Sequence, residues 1–239
     1  MQSAIVDYHH TERNPDMTRL AIFDLDNTLL AGDSDHAWGE FLISEGLADA
    51  AAHRQQNDAF YKQYQQGVLD MNQYLEFAIA PVVGFSRERL DQLHQRFMAQ
   101  FIEPMMLPAA IALVRQHAAA GDTCVIVTAT NRFVTEPIAA KLGVHALIAT
   151  DLELAEDGFT GKISGIPCFQ AGKITKLQDW LTAQSATTLT LLNSVFYSDS
   201  FNDIPLLEAA GEAVAVDPDD KLRSHAERRG WPVISLRQG

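Results

Sequence analysis

The chain has 239 residues, 47% of them hydrophobic, which suffices to bury the core of one large domain or of a domain carrying an insertion. Its 31 acidic and 18 basic residues give a formal charge of −13, which disfavours nucleic acids and anionic membrane surfaces as partners. No apolar stretch approaches the roughly 20 residues that span a bilayer, and the polar opening residues lack the apolar centre of a signal peptide, so we expect a cytoplasmic protein.

Alternating strand and helix patterns dominate the chain after a short opening segment. Residues 1–18 show little periodicity and predict a flexible leader, in which Met17 could be the true start. Four short, near-continuous apolar runs have the pattern of strands buried on both faces of a parallel sheet: 20–23, 124–127, 195–197 and 213–216. Three helical patterns each end at a glycine: 108–120, 131–142 and 203–210. This alternation predicts an α/β core with a doubly wound, Rossmann-like parallel sheet.

The pattern between Asp33 and Glu103 is helical throughout, with Ser34 as the expected N-cap of its first helix. Four helices are predicted, at 34–45, 50–66, 70–79 and 86–101. We therefore expect a helical bundle at 33–104, inserted into a core formed by 19–32 and 105–239. Most aromatic residues of the bundle should pack in its interior. A hairpin is predicted at 152–163, on an edge of the sheet.

Chemically reactive side chains follow the predicted strands. Asp24 and Asp26 come directly after the run 20–23, with one residue between them, so a turn there can aim both carboxylates at one point. Thr128 directly follows the run 124–127, at the end of the predicted strand, where a hydroxyl can donate to a phosphate oxygen. Lys173, near the start of a predicted helix, can neutralise phosphate.

Two further acids, Asp199 and Asp203, lie before and after the turn that follows the strand 195–197. Carboxylates gathered at strand ends form a hard oxygen site of the kind that binds Mg²⁺. The sequence therefore predicts a site for magnesium and phosphate at the carboxyl edge of the sheet.

Four segments in this order resemble the motifs of the haloacid dehalogenase superfamily of phosphate-transferring enzymes: DLDNT at 24–28, Thr128, Lys173 and DSFND at 199–203. The position of the helical insertion, after the first motif, resembles the phosphoserine-phosphatase branch, in which that insertion is a cap over the active site. The resemblance covers the chain from about Arg19 to its end.

The resemblance implies a role for each motif residue. Asp24 would be the nucleophile that forms an aspartyl phosphate, and Asp26 the general acid and then the general base. Magnesium would be held by the Asp24 carboxylate, the Asp26 backbone carbonyl and Asp199. The remaining groups would serve the phosphate: Thr128 and Lys173 would hold its oxygens, Asp203 would orient Lys173 or a metal-bound water, and Asn202 could contact the phosphate or the rest of the substrate.

The insertion indicates which phosphate ester is bound. In the phosphoserine branch a glutamate holds the substrate amine and an arginine holds its carboxylate. Here Asp33 stands at the glutamate position and Met71 at an apolar contact position, whereas Ala78 stands where the arginine belongs. This argues against phosphoserine unless another arginine substitutes, such as Arg87, Arg89 or Arg132.

An acidic cap mouth, comprising Asp33 and Asp35 with Glu76 as a further candidate, beside His36 and Trp38, suits a cationic leaving group. The prediction is therefore a small amino-alcohol phosphate, with histidinol phosphate, known from relatives in this branch, as the favoured substrate. Arg132 could contact the phosphate or a surface acid.

Other classes of protein share parts of this pattern. Phosphoserine phosphatase and a phosphotransferase that passes the group to an alcohol remain alternatives. A receiver-type phosphoacceptor module also uses acids, a threonine and a lysine around magnesium, but the spacing of Asp24 and Asp26 and the inserted bundle favour the enzyme. A silent binding protein on the same scaffold is disfavoured by the presence of all four motifs. The sequence leaves the choice between monomer and dimer open.

Overall fold

The computed structural model describes residues 18–155, 158–184 and 189–237, so the predicted leader lies outside the described residues except for Thr18. None of the described helices is both long and apolar enough to cross a membrane. In chain order the elements are β1 (Leu20–Phe23), α1 (Ser34–Ser44), α2 (Ala50–Gln66), α3 (Met71–Ile79), α4 (Arg87–Phe97), α5 (Glu103–Met105), α6 (Pro108–Ala119), β2 (Thr123–Asn131), α7 (Arg132–Leu142), β3 (Ala146–Ala155), β4 (Gly158–Ser164), α8 (Ala171–Ala183), β5 (Ser194–Ser198), α9 (Ile204–Ala209), β6 (Glu212–Val216), α10 (Asp220–Arg229) and β7 (Val233–Ile234).

A seven-stranded sheet in the order β4-β3-β2-β1-β5-β6-β7 forms the centre of the molecule. Every neighbouring pair is parallel except β3 with β4. Ala21 and Phe23 of β1 belong to one buried cluster and Leu20 and Ile22 to another, because alternate strand residues point to opposite faces. The predicted doubly wound parallel-sheet core is therefore confirmed.

The topology changes direction at β1. From β1 the chain forms β2 and β3 on one side of the sheet, and later returns to form β5 on the other side. In open α/β sheets, ligands bind beyond the carboxyl ends of the strands at such a switch point. The fold therefore predicts a ligand site at the residues that follow β1, β2 and β5.

Some strands and helices of the structure were not predicted from the sequence, or were predicted with other bounds. The predicted edge hairpin is present as β3 and β4, with its tip at 156–157 outside the described residues. However, β3 begins at Ala146 and first pairs in parallel with β2, a strand that the short run ALIAT did not reveal. Helix α10 and the two-residue β7 were also missed.

The insertion is helical, as expected, but its first cap is different. Asp33, not Ser34, is the N-cap of α1, since its carboxylate accepts a hydrogen bond of 2.8 Å from the backbone N–H of His36. Ser34 is already inside the helix. The predicted last helix is interrupted, because α4 gives way to a π turn at Met98–Ile102 before α5.

The aromatic core of the insertion contacts the α/β core. Trp38, Phe41 and Phe97 are completely buried, and the rings of Trp38 and Phe97 meet edge to face at 5.1 Å. Phe133 of α7 packs edge to face on Trp38 at 5.4 Å. These contacts fix α1 and α4 against the core. The chain leaves and rejoins the core beside a single antiparallel bridge between Leu30 and Met106.

Candidate active site

Polar side chains meet at the carboxyl edge of the sheet, at the switch point. Phe23, the last residue of β1, is in register with Ile126 of β2 and Tyr197 of β5. The residues just beyond this level, Asp24 and Thr128 among them, therefore emerge at the same edge. The four sequence motifs predicted to form one site do lie side by side in the structure.

Asp24 lies at the centre of this group and is 4% exposed. Its Oδ1 accepts a hydrogen bond of 2.7 Å from Lys173 Nζ. The hydroxyl of Thr28 lies 3.2 Å from Asp24 Oδ2 and 3.1 Å from Asp199 Oδ1, and accepts a bond of 3.0 Å from the Asp199 backbone N–H. Because a hydroxyl has only one proton to donate, these two carboxylates share one donor.

Lys173 is the buried cation of the site, with 2% of its side chain exposed. Its ammonium lies 2.7 Å from Asp24 Oδ1 and 2.7 Å from Asp203 Oδ2, and the Ser198 hydroxyl donates to the same Asp203 oxygen at 2.7 Å. Burial alone lowers the pKa of an ammonium, but Asp203 and Asp24 outweigh burial and raise the pKa of Lys173. The side chain therefore stays charged.

Asp26 is held by groups from two other elements. Its Oδ1 accepts a 2.6 Å bond from the Ser34 backbone N–H in the first turn of α1, and its Oδ2 accepts a 2.8 Å bond from the Thr130 hydroxyl in β2. Thr130 was not predicted, although it lies two residues after Thr128 on the same strand and so on the same side. These bonds fix the orientation of the Asp26 carboxyl group.

Burial of several acids together raises their affinity for protons. Burial, with Asp203 and Asp26 acting in the same direction and Lys173 opposing, raises the pKa of Asp24 to about 7. Burial and the nearby Asp33 raise the pKa of Asp26 to about 6. Burial and Asp24 raise the pKa of Asp199 well above its usual range. The site has an excess of negative charge, which a cation relieves.

A cavity extends from these acids into the helical insertion. Its floor contains Asp24, Asp26, Thr128 and Thr130, and its roof contains the predicted substrate residues Asp33, His36 and Met71. Thr128 is 1% exposed, and its Oγ1 accepts a 3.2 Å bond from the Thr130 backbone N–H. The roof is also lined by Asn57, which the sequence analysis did not single out, and by Tyr61, Tyr64 and Tyr74, which belong to the aromatic residues expected mostly in the bundle interior.

Two carboxylates dominate the roof electrostatically. Burial raises the pKa of Asp33, and burial with Asp33 and Asp26 raises the pKa of Asp35 well above its usual range. Asp35 is 8% exposed and accepts a bond of 3.4 Å from the Asn131 side-chain amide. His36 lies near the edge of the Tyr61 ring, and its Nε2 is 3.2 Å from Asp58. No lysine or arginine lines the cavity in the described part of the chain.

Several residues predicted to contact substrate lie elsewhere. The guanidinium of Arg132 binds Asp151 and the Leu147 carbonyl, and lines a different cavity, between α4, α7 and the β3–β4 hairpin. Glu76 is exposed on α3, and Trp38 is completely buried in the bundle core, so neither belongs to the cap mouth. Asn202 donates to the Tyr64 carbonyl at 3.0 Å and accepts from Gln170 at 3.1 Å, so its side chain joins core to insertion.

Among the residues that the structure describes, no arginine lines the roof to bind a substrate carboxylate. Ala78, at its position, is 4% exposed, and its carbonyl accepts a bond from the Trp38 indole N–H at 3.2 Å. Arg89 lies over the Phe85 ring, and Arg87, like Arg132, lines the other cavity. None of the three arginines considered as substitutes lines the cavity above Asp24.

The donor set fits a hard divalent cation. No group of three or more His, Cys, Asp or Glu side chains is arranged to hold a metal by itself in the ranges described. Magnesium, however, uses one or two carboxylates and completes its octahedron with water, carbonyl and phosphate oxygens. Asp24 and Asp199 supply such a pair of oxygen donors on either side of Thr28. Asp203 was expected at the metal site, to orient either Lys173 or a metal-bound water; its Oδ2 accepts from Lys173 and Ser198, which favours the first of these roles.

A strained residue precedes the segment that carries Lys173. Gln170 has φ 49° and ψ −122°, and the Gly172 backbone N–H donates to the Phe169 carbonyl at 2.8 Å across it. These angles are those of the first central position of a type II′ turn, which glycine normally occupies. A non-glycine residue there costs on the order of 1–3 kcal/mol. No pattern in the sequence indicated this turn.

Comparison with known proteins agrees with this geometry. The model of the haloacid dehalogenase-like hydrolase family matches residues 21–208. A histidinol-phosphatase of Neisseria meningitidis serogroup C (strain 8013) is 44% identical over 222 residues, which are 92% of this chain and 100% of that protein. A phosphoserine phosphatase of Mycobacterium tuberculosis (strain ATCC 25618 / H37Rv) is 29% identical over 232 residues, 95% of this chain and 74% of that protein.

Solved structures show the same fold. The crystal structure of a protein of unknown function from Bordetella pertussis Tohama I superimposes with a TM-score of 0.85 at 45% identity, covering 92% of this chain and 99% of that one. A substrate-bound phosphoserine phosphatase complex superimposes with a TM-score of 0.66 at 17% identity, covering 92% of this chain and 94% of that one. At that identity the second likeness concerns the fold alone.

Proposed function

The chain belongs to the haloacid dehalogenase-like hydrolase family and is a phosphatase, and we propose that it removes phosphate from histidinol phosphate with the help of Mg²⁺. The relative from Neisseria meningitidis is named for that activity and aligns along its whole length. The observation that carries the choice of substrate is the charge of the cavity. Four carboxylates line it, of Asp24, Asp26, Asp33 and Asp35. In the described part of the chain no basic residue other than His36 lines its roof, and the Lys173 ammonium is already paired with Asp24 at its floor.

This charge favours a leaving group that is cationic and has no carboxylate. Histidinol carries an amine and an imidazole, which the Asp33 and Asp35 carboxylates can bind, and the rings of Tyr61 and Tyr74 offer it flat apolar surface. Phosphoserine adds a carboxylate to the same amine. In this roof that group would lie near acids without a cationic partner, at a cost of about 1–3 kcal/mol or more.

The core residues supply the phosphoryl chemistry in this proposal. The Asp24 carboxylate attacks phosphorus and forms an aspartyl phosphate while the P–O bond to the leaving alcohol breaks. Asp26, oriented by Ser34 and Thr130, gives its proton to the leaving oxygen and then takes one from the attacking water, which regenerates Asp24 and frees phosphate. Lys173 and Thr128 hold phosphate oxygens. Asp24 and Asp199 would hold Mg²⁺, which would supply positive charge to offset that of the phosphate and the nucleophile.

A panel of phosphate monoesters tests the substrate. Phosphate release is measured with histidinol phosphate, phosphoserine, phosphoethanolamine and p-nitrophenyl phosphate at equal Mg²⁺. We expect kcat/KM for histidinol phosphate to exceed that for phosphoserine by at least tenfold, since a lost charged contact is worth about 1.5–3 kcal/mol. Faster turnover of phosphoserine would refute the assignment and favour the alternative phosphoserine phosphatase.

An isosteric variant separates recognition of the leaving group from the chemistry. Asp35→Asn removes one roof carboxylate and leaves the floor unchanged. We expect kcat/KM for histidinol phosphate to fall about 10–100-fold, whereas that for p-nitrophenyl phosphate changes less than about threefold. An equal loss on both substrates would contradict a role of Asp35 in binding the cation.

A further inference from the structure

The end of helix α2 is joined to the core by two side-chain amides. The Asn202 amide donates to the Tyr64 carbonyl at 3.0 Å, and the Gln170 amide donates to the Gly67 carbonyl at 3.1 Å. Gln170 also donates to the Asn202 side-chain oxygen at 3.1 Å, so the two amides form one connected unit. The last carbonyls of a helix have no partner within the helix. The Tyr64 carbonyl also accepts the Gly67 backbone N–H at 3.0 Å, so α2 ends in its own glycine cap and the two side-chain amides add a link from that cap to the core.

The close fit around this junction leaves little freedom. Gly67 has φ 76°, and a Cβ there would lie 3.0 Å from the Phe201 ring and 3.2 Å from the Asn202 side-chain oxygen. A glycine is therefore required both for the left-handed end of α2 and for the approach of the core to it. The same helix carries Tyr61 and Tyr64, which line the roof of the cavity.

Gln170 holds its position in spite of the backbone. Its φ of 49° favours glycine, and glycine would make the same turn without strain. What glycine lacks is the side-chain amide, whose nitrogen donates to both Gly67 and Asn202. Strained residues of this kind persist where their side chain serves the site. The contacts of Gln170 indicate that its side chain is retained to hold the end of α2 against the core.

Both amides belong to segments that carry groups of the phosphate site. The Gln170 carbonyl accepts from the Lys173 backbone N–H at 3.1 Å, and Asn202 directly precedes Asp203. Lys173 and Asp203 are paired through their side chains at 2.7 Å. A displacement of α2 from the core is therefore transmitted to the two turns that place this ion pair.

We propose that Gln170 is a positioning residue that, with Asn202, fastens the end of α2 to the phosphate-binding turns, so that closure of the roof and placement of Lys173 and Asp203 occur together. The proposal uses the phosphatase activity but not the identity of the ester. Gln170 touches no reacting atom, and its effect passes through α2 and Lys173.

Two substitutions at one position separate the amide from the strain. Gln170→Gly removes the amide and relieves the turn, whereas Gln170→Ala removes the amide and keeps the strained backbone. We expect both to lower kcat/KM by at least tenfold on whichever ester of the panel the wild type hydrolyses fastest, mainly through KM. Only Gln170→Ala should lower the thermal midpoint. Activity of Gln170→Gly within twofold of wild type would overturn the proposal.

Hydrogen exchange supplies a readout that requires no substrate. The backbone N–H groups of residues 64–68 should exchange at least tenfold faster in Gln170→Gly than in the wild type, because the end of α2 loses the Gln170 bond that holds it to the core. Unchanged exchange there would refute the junction even if activity fell. If instead exchange responds as expected but histidinol phosphate is not the fastest ester, the junction stands and only the substrate assignment fails.

A double-mutant comparison tests whether the two amides act as one unit. Asn202→Ala alone should reproduce the loss of Gln170→Gly, and the double variant should lose little more than either single variant. Losses that multiply fully would show two independent roles and would contradict the proposal.

Discussion

Lys173→Met should be the most destabilising single change at the candidate site. Methionine keeps the length and most of the volume of lysine, so the substitution removes the charge and leaves the packing nearly intact. In the protein the ammonium lies 2.7 Å from both Asp24 and Asp203, and the side chains of all three residues are at most 6% exposed. The change therefore leaves two carboxylates buried without their cation.

The expected size of the effect follows from that burial. Removing one partner of a buried ion pair costs about 3–5 kcal/mol, which corresponds to a fall in Tm of roughly 6–20 °C for a chain of this size. The deficit should grow with pH. In the wild type, the pKa of Asp24 is raised to about 7, so the folded protein binds this proton more tightly than the unfolded chain, and stability falls as pH rises from about 4 to 7. Without Lys173 that pKa rises further, and the fall continues above pH 7.

Urea unfolding in EDTA at pH 6.5 and pH 8.5 measures this prediction, and the same helix offers a matched control. Lys176 Nζ pairs with Asp151 at 2.6 Å, but the Asp151 side chain is 35% exposed and keeps Arg132 as a second partner. Lys176→Met should cost less than about 1 kcal/mol. If Lys173→Met costs no more than Lys176→Met, or if its deficit shrinks at pH 8.5, the description of a buried ion cluster is wrong.

Three other measurements follow from the site and the insertion. Asp24→Asn should lower phosphate release by at least about 10⁴-fold with an unchanged circular dichroism spectrum, and substantial residual turnover would exclude Asp24 as the nucleophile. EDTA should abolish turnover and Mg²⁺ should restore it, since the acids around Asp24 need a cation; full activity in EDTA would exclude the metal. Burial lowers the pKa of His94 to about 4, so the unfolded chain takes up that proton first, and the contribution of His94 to stability should fall by about 2–3 kcal/mol between pH 6.5 and 4. In urea unfolding, His94→Gln should therefore gain stability relative to the wild type by that amount over this pH range, and a constant difference between the two proteins would contradict the assignment.

The elements that the sequence predicted best are those whose residues face one environment. Leu20–Phe23 is completely buried on both faces, so its apolar run stands out, and the acids that follow it mark the end of the strand. By contrast, Ala146 to Thr150 of β3 were not recognised as a strand: their apolar run is only four residues long and includes two alanines, although the segment pairs in parallel with β2. Tertiary pairing, not local pattern, makes that segment a strand.

The candidate site divides in the same way. Asp24, Lys173 and Asp199 were found because each has a side chain with distinctive chemistry at a strand end or helix start. Tyr64 and Gln170 were missed because their roles depend on how the insertion packs on the core, which no local pattern encodes. The sequence left Arg132 open between the phosphate and a surface acid for a related reason: its position is next to the site, and only the fold shows that its guanidinium turns towards Asp151.

The two ends of the roof are attached to the core in different ways, which suggests where it can open. At the start of α1, the Ser34 backbone N–H holds the Asp26 carboxyl group at 2.6 Å, and Trp38 one turn later is completely buried. This end cannot move without releasing the general acid of the proposed mechanism and exposing the largest ring of the core. The end of α2 is attached by hydrogen bonds from two side-chain amides, and water can replace these bonds at little net cost. Opening by rotation of α2 away from Gln170 and Asn202, with α1 fixed, would therefore admit the ester and keep Asp26 aligned for the next turnover.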